Sequence, residues 1–371
     1  MSGKVGNKGY PGVNQERLGI EVTTQCNSEC AHCFARAGIA KPSSLSIKLV
    51  KEIIAEGYSV GYRHLHITGG EPLLWRGLFA VLDYAYESGY QSVFLNTNGI
   101  LITRATANRL AAYKDLLVSV SLEGTEELHD RLRAEGLFRP TLLGIETALD
   151  AGISPSIFST ACKSLVPQLP ALAEKLFQTF PGISNLTLIQ IIPVPGADPS
   201  LSKELLQPRD LLNLIKIVSV LNLLGFTTRF LNNPLACAAS RLMKVHWIPR
   251  SQPLYTEGRL IVMANGDICL SHSSRERLGK YQYGMIEKTL GSERYRQAVL
   301  PDEFTCPFCK YARLCLANGM ARPSERYWGI QSEGHYCQSV LNSAANLAYT
   351  ELSEILKANS VHQFCGIGGS E

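Results

Sequence analysis

The sequence predicts an α/β fold: a parallel sheet of six β/α units, curved into an incomplete barrel, followed by a smaller cysteine-rich domain. Three observations carry this. Short β-branched runs alternate with amphipathic stretches through the first two-thirds of the chain. Each of the early runs ends in a short motif rich in Gly, Asn or Cys, where a parallel sheet places its ligand site. After about Phe230 the rhythm changes and cysteines crowd into 306–337.

The strand signals, in order, are Leu18–Thr23, His64–Thr68, Val93–Asn96, Val118–Leu122, Ser156–Thr160 and Leu186–Ile191. Helical spacing falls between and after them, at Ile47–Tyr58, Gly77–Ser88, Thr103–Tyr113, Thr141–Ala151, Leu169–Thr179 and Leu211–Leu224. Six units fall short of the eight of a closed barrel, so an open doubly wound sheet is the alternative. Leu211–Leu224 is apolar, but Asn213, Lys216 and Asn222 interrupt it, as in a barrel helix rather than a membrane element. Asn232, Asn233 and Pro234 break the chain. Arg259–Ala264 reads as a strand, Asn265-Gly266 as its hairpin turn and Ile268–Leu270 as the return strand. The domain expectation is a flexible segment 1–16, a barrel 17–230, an auxiliary domain 231–350 and a tail 351–371.

Composition narrows the function. The 371 residues are 45% hydrophobic and 18% charged, which excludes a disordered or collagen-like chain. A net charge of +4 gives no basic stripe for nucleic acid. No apolar run is long enough to span a bilayer, and the polar, glycine-rich start lacks the apolar segment of a signal peptide. The expected compartment is therefore the cytoplasm. In a reducing compartment, eleven cysteines point to metal chemistry rather than disulfides.

Cys26, Cys30 and Cys33 form C-x3-C-x2-C directly after the first strand. Three thiolates in one loop suit a 4Fe–4S cluster with one iron open; zinc with a distant fourth ligand, or three unrelated core cysteines, are the alternatives. Cys306, Cys309, Cys315 and Cys337 form C-x2-C-x5-C-x21-C, a closed set of four that suits zinc or iron–sulfur equally on spacing alone.

The first constellation resembles the signature of radical S-adenosylmethionine (radical SAM) enzymes, with His32 where that family usually has another aromatic ring. Three further segments continue the resemblance in order: Gly69-Gly70-Glu71-Pro72, Asn96-Thr97-Asn98-Gly99 and Ser121-Leu122-Glu123-Gly124. It covers roughly residues 17–230. The resemblance implies a partial (β/α)6 radical SAM barrel in which Cys26, Cys30 and Cys33 hold a 4Fe–4S cluster. Its open iron would chelate S-adenosylmethionine, whose reductive cleavage gives a 5′-deoxyadenosyl radical. Gly69, Gly70, Glu71 and Pro72 would lie beside the methionine amino group. Asn96, Asn98, Ser121 and Glu123 would meet the ribose, with Glu123 where Asp is common, and Gln190 and Pro193 the adenine. Simple strand-to-helix turns and ordinary packing are the alternatives for these segments.

The second constellation is similar to the C-terminal extension called SPASM, or its shorter relative, twitch. By that resemblance Cys306, Cys309, Cys315 and Cys337 hold a second, auxiliary 4Fe–4S cluster. The inner cluster of the full SPASM pattern has no matching set: Gly319 and Ser271 stand where cysteines are expected, and Cys269 comes too early.

The implied activity is hydrogen abstraction from a peptide or small natural-product substrate, leading to oxidation or cross-linking. A radical epimerase is the alternative, with Cys269 as hydrogen donor and Cys162 second in line; a non-enzymatic iron–sulfur or zinc protein that binds a partner is another. Expected partners are the substrate and an external flavodoxin- or ferredoxin-like reductant, with no nucleic acid and no membrane. Only 25 residues precede Cys26, fewer than the about 80 of a peptide-recognition domain, so recognition would come from a separate protein or from the barrel itself.

Overall fold

The computed structural model describes residues 10–33, 42–192, 199–251, 256–272, 277–299, 310–311 and 333–347. In chain order the elements are β1 (Arg17–Glu21), α1 (Ile47–Val60), β2 (His64–Thr68), α2 (Leu78–Glu87), β3 (Ser92–Thr97), α3 (Arg104–Ala111), β4 (Leu116–Ser121), α4 (Glu126–Arg133), α5 (Phe138–Asp150), β5 (Ser156–Ala161), α6 (Leu169–Thr179), β6 (Asn185–Gln190), α7 (Pro208–Leu223), β7 (Thr228–Leu231) and α8 (Pro234–Leu242). Then follow β8 (Leu260–Val262), β9 (Asp267–Cys269), β10 (Gly279–Lys280), α9 (Met285–Leu290), α10 (Glu293–Val299) and α11 (Glu333–Asn346). The six expected strands and six expected helices are all present, with ends displaced by up to three residues.

Two compact units result. The first holds β1–β4 and β8–β10, in the order β10-β9-β8-β1-β2-β3-β4. β1 pairs parallel with both β2 and β8, while β8–β9 is the expected hairpin. Its turn is closed by the Gly266 N–H on Met263 O, and Gly266 takes φ +84°.

The pleat separates two faces. One is apolar: Leu18, Ile20, Leu65, Ile67, Val93, Leu95, Val118 and Val120 are all at most 3% exposed. Each such side chain contributes roughly 1.5–3 kcal/mol of burial. Helix α1 lies tightly on this face, because Gly57 presents no Cβ to Leu18. The opposite face carries Gly19, Glu21, His66, Thr68, Phe94, Asn96 and Ser119, aligned by strand register. Ile261 and Cys269 continue that row across β8 and β9.

The second unit contains β5, β6 and β7, adjacent in that order, with α6, α7, α8 and α11. β7 is a parallel strand beyond the six expected. The break expected at Asn232–Pro234 is a helix start. Asn233 caps α8, accepting the Ala236 N–H at 3.0 Å, and Pro234 occupies the first turn, where its missing N–H is harmless. α11 packs on α7 and α8. Among the described residues no helix is long and apolar enough to cross a membrane.

Candidate functional site

The C-x3-C-x2-C loop leaves β1 without helix or strand structure, and the rest of the first unit ties it down. Ala31 donates its N–H to Leu132 O at 2.9 Å, and His32 Nδ1 contacts the same carbonyl at 3.1 Å. Ser28 Oγ stands 3.2 Å from Cys30 Sγ, and an Arg133 guanidinium nitrogen is 3.8 Å from that sulfur. Cys26, Cys30 and Cys33 are all partly exposed, whereas Cys162 and Cys269 are buried.

Burial pushes the Cys26 thiol up to about 11; the Ser28 backbone N–H opposes this, and Glu71, Cys30 and Cys33 add to it. Three thiols on one loop, mutually repulsive once ionised, fit a polynuclear cationic centre. Among the described residues no group of three or more His, Cys, Asp or Glu side chains could hold one metal ion. That is compatible with a cluster, whose cysteines each take a different iron and stand farther apart than the ligands of one ion.

The glycines of the Gly69–Pro72 segment serve the cysteine loop directly. A Cβ on Gly70 would lie 2.3 Å from Gln25 O and 2.8 Å from Thr24 O; one on Gly69 would lie 2.6 Å from Thr23 O. Their bare backbone lets Gly70 N–H reach Thr23 O at 2.7 Å and Glu71 N–H reach Gln25 O at 2.8 Å.

Glu71 is fully buried. It accepts from Leu73 N at 3.0 Å, Thr97 Oγ1 at 2.8 Å and Asn98 N at 2.8 Å. Its carboxyl is raised by burial and opposed by those donors and by Arg133. Pro72, also buried, opens the short turn that Glu71 caps.

The Asn96–Gly99 motif divides likewise. Asn96 lies between His66 Nε2, which contacts its Oδ1, and Ser119 Oγ, which accepts from its Nδ2 at 2.5 Å. Asn98 gives an N–H to Asn27 Oδ1 at 2.7 Å and accepts from Ile100 N at 3.0 Å. Ser121 ends β4, partly exposed. Glu123 belongs to the second unit, where it is 1% exposed and accepts from Thr160 N at 2.5 Å and Thr160 Oγ1 at 3.2 Å. The motif carboxylates Glu71 and Glu123 and the amides Asn96 and Asn98 thus all bond to protein.

In the second unit Gln190 Nε2 donates to Tyr336 Oη at 3.2 Å and its Oε1 accepts from Asn233 at 2.8 Å. Cys337, next to Tyr336 on α11, is partly exposed. Cys306, Cys309, Cys315 and Pro193 lie outside the described residues. Cys237 Sγ accepts the Ser251 N–H at 3.3 Å within the second unit.

Sequence reasoning missed Asn27 and Arg133, which bond to Asn98 and Cys30, the role of Thr97 as a donor to Glu71, and a polar group formed by Glu21, His66 and His272. Only the single carboxylate ending the apolar run Leu18–Ile20 signalled that group.

Residues 20–165 match the radical SAM superfamily profile, and this part of the chain is a radical SAM domain. Such a domain implies S-adenosylmethionine and a 4Fe–4S cluster as cofactors. The chain is 34% identical over 157 residues to Fe-coproporphyrin III synthase of Methanosarcina barkeri, covering 42% of this chain and 39% of that protein. It is 34% identical over 135 residues to mycofactocin maturase MftC of Mycobacterium tuberculosis, covering 36% and 34%. The matches therefore span well under half the length of these relatives. The fold is similar to that of native anSMEcpe with bound AdoMet and a peptide: TM-score 0.69, 16% identity, 93% of this chain and 99% of that one.

Proposed function

We propose that this protein is a radical SAM enzyme that abstracts hydrogen from a peptide substrate and oxidises or cross-links it. The observation that carries the reading is the tethering of the Cys26–Cys33 loop, by Gly69, Gly70, Glu71 and Asn98, to the C-terminal ends of β2 and β3. A 4Fe–4S cluster with S-adenosylmethionine supplies one-electron cleavage of a carbon–sulfur bond and a 5′-deoxyadenosyl radical.

The chain's own residues do the rest. Cys26, Cys30 and Cys33 hold the irons; Arg133 and Ser28 lie against Cys30; Glu71 and Asn98 keep the loop in place. Peptide is preferred as the substrate class because the similar anSMEcpe fold was solved with a peptide bound. Cys306, Cys309, Cys315 and Cys337 form the second, auxiliary 4Fe–4S site of a SPASM- or twitch-like domain, and an external flavodoxin- or ferredoxin-like protein supplies the electron.

Cys269 supports a second reading, epimerisation with a thiol hydrogen donor, because strand register puts it on the polar face in line with Ile261, Gly19 and His66. Anaerobic reconstitution tests the reading: about eight irons per chain are expected, with about half lost in Cys306→Ala/Cys309→Ala. Stoichiometric zinc would overturn the auxiliary-cluster assignment. With substrate, product lighter by two hydrogens supports oxidation; deuterium uptake from deuterated water, lost in Cys269→Ala, supports epimerisation instead.

A further inference from the structure

Glu21 ends β1 on the polar face of the first unit's sheet, in register with Thr68. It is 3% exposed. Its Oε1 accepts the Ala264 N–H at 3.2 Å, while Oε2 has no hydrogen-bond partner among the described residues. The imidazole Nε2 of His272 stands 3.9 Å from Oε2, beyond hydrogen-bond reach. His272 in turn lies edge-on to His66, with ring centroids 5.9 Å apart.

A buried carboxylate oxygen without a donor is costly and uncommon, and asks for a reason. Glu71, on the same unit, has both of its carboxylate oxygens satisfied by protein donors.

We infer that Glu21, with His272 beside it, is an anchoring site for a primary ammonium group of the substrate. This rests on the proposed function, with the polar face of the sheet as the side the substrate meets. The ligand class follows from the acceptors present. Oε2 needs an N–H or O–H donor. A carboxylate favours a cation over a neutral hydroxyl, and an ammonium has three N–H groups to share between Oε2 and a neutral imidazole.

The surrounding charges agree. Burial raises Glu21 to about 7, and the Ala264 N–H opposes that. Burial lowers His66 to about 4 and His272 well below its ordinary value, with Arg259 acting on both and Arg17 on His66. The imidazoles are therefore neutral at pH 7, and Glu21 is poised to ionise when a cation arrives.

The test is infrared difference spectroscopy of the reconstituted holoenzyme at pH 7, titrated with butylammonium. The expected result is saturable loss of a protonated-carboxyl band, absent in Glu21→Gln of wild-type iron content and far-ultraviolet spectrum. Tetramethylammonium, which has no N–H, and butanol, which has no charge, should leave the band intact in wild type. An unchanged band with butylammonium, or equal loss with either control, overturns the inference without recourse to any variant. The readout does not depend on turnover. Absence of S-adenosylmethionine cleavage by the wild type would count against the proposed function, and an unresponsive band in a cleaving enzyme against this site alone.

Discussion

Glu71 and Glu21 are both buried carboxylates near the C-terminal ends of neighbouring strands, yet they are built to opposite ends. Glu71 follows β2 and meets three protein donors, two of them from the Thr97–Asn98 corner. Glu21 ends β1 and meets one among the described residues, with its second oxygen facing His272. The first carboxylate locks a loop; the second keeps acceptor capacity in reserve. Burial alone does not separate these two carboxylates. The protein donors that reach each one do.

The contrast breaks most easily at Glu71. Glu71→Ala would leave the Leu73 and Asn98 N–H groups and the Thr97 hydroxyl without their acceptor, a cost of about 3 kcal/mol or more. Urea unfolding should show it, together with loss of iron from the cysteine loop. An unchanged midpoint would mean that Glu71 is no brace.

Glu21 should behave in the opposite way. Its folded-state pKa is raised from 4.5 to about 7, so the folded state holds the extra proton. Stability from this group is fully present below about pH 4.5 and is lost as pH rises through about 7. Glu21→Gln removes that dependence. It should be more stable than wild type at pH 8, with a ceiling of about 3 kcal/mol, and the gain should vanish near pH 4. Parallel stability profiles for the two proteins would contradict the raised pKa.

Smaller effects sharpen the picture of the loop. Gly70→Val would push a side chain into Gln25 O and cost about 2 kcal/mol, with weaker iron retention. Iron loss at unchanged stability would show instead that the glycine faces the cofactor. Asn98→Ala, which removes the bond to Asn27, should cost only about 1 kcal/mol in the same unfolding assay. A loss as large as that of Glu71→Ala would make Asn98 a second principal brace.

Much of the fold was legible because its signals are local. Alternating strands and amphipathic helices announce themselves within a dozen residues, and Leu169–Thr179 was readable to the residue. Thr228–Leu231 was not: it is four residues long, with one residue between it and Asn233-Pro234, which reads as a break. The parallel pairing of β8 with β1 joins segments far apart in sequence, and no local pattern encodes it.

The site divides the same way. Spacing exposed Cys26, Cys30 and Cys33, and the motifs exposed Glu71 and Asn98 as residues beside a ligand; that they also tie down the cysteine loop was not legible. Apart from the Thr97 hydroxyl, the partners of Gly70 and Glu71 are backbone groups of Thr23, Gln25, Leu73 and Asn98, and backbone partners leave no trace in residue identity. Glu21 and His272 meet only because the hairpin closes on β1.

The central claim, that the Cys26–Cys33 loop is the seat of the radical chemistry, is tested most directly by 5′-deoxyadenosine formation. The anaerobically reconstituted protein would be incubated with S-adenosylmethionine and a strong reductant, beside the Cys26→Ala/Cys30→Ala/Cys33→Ala variant. The account predicts 5′-deoxyadenosine and methionine from the wild type and none from the variant. Equal cleavage by both proteins would contradict it.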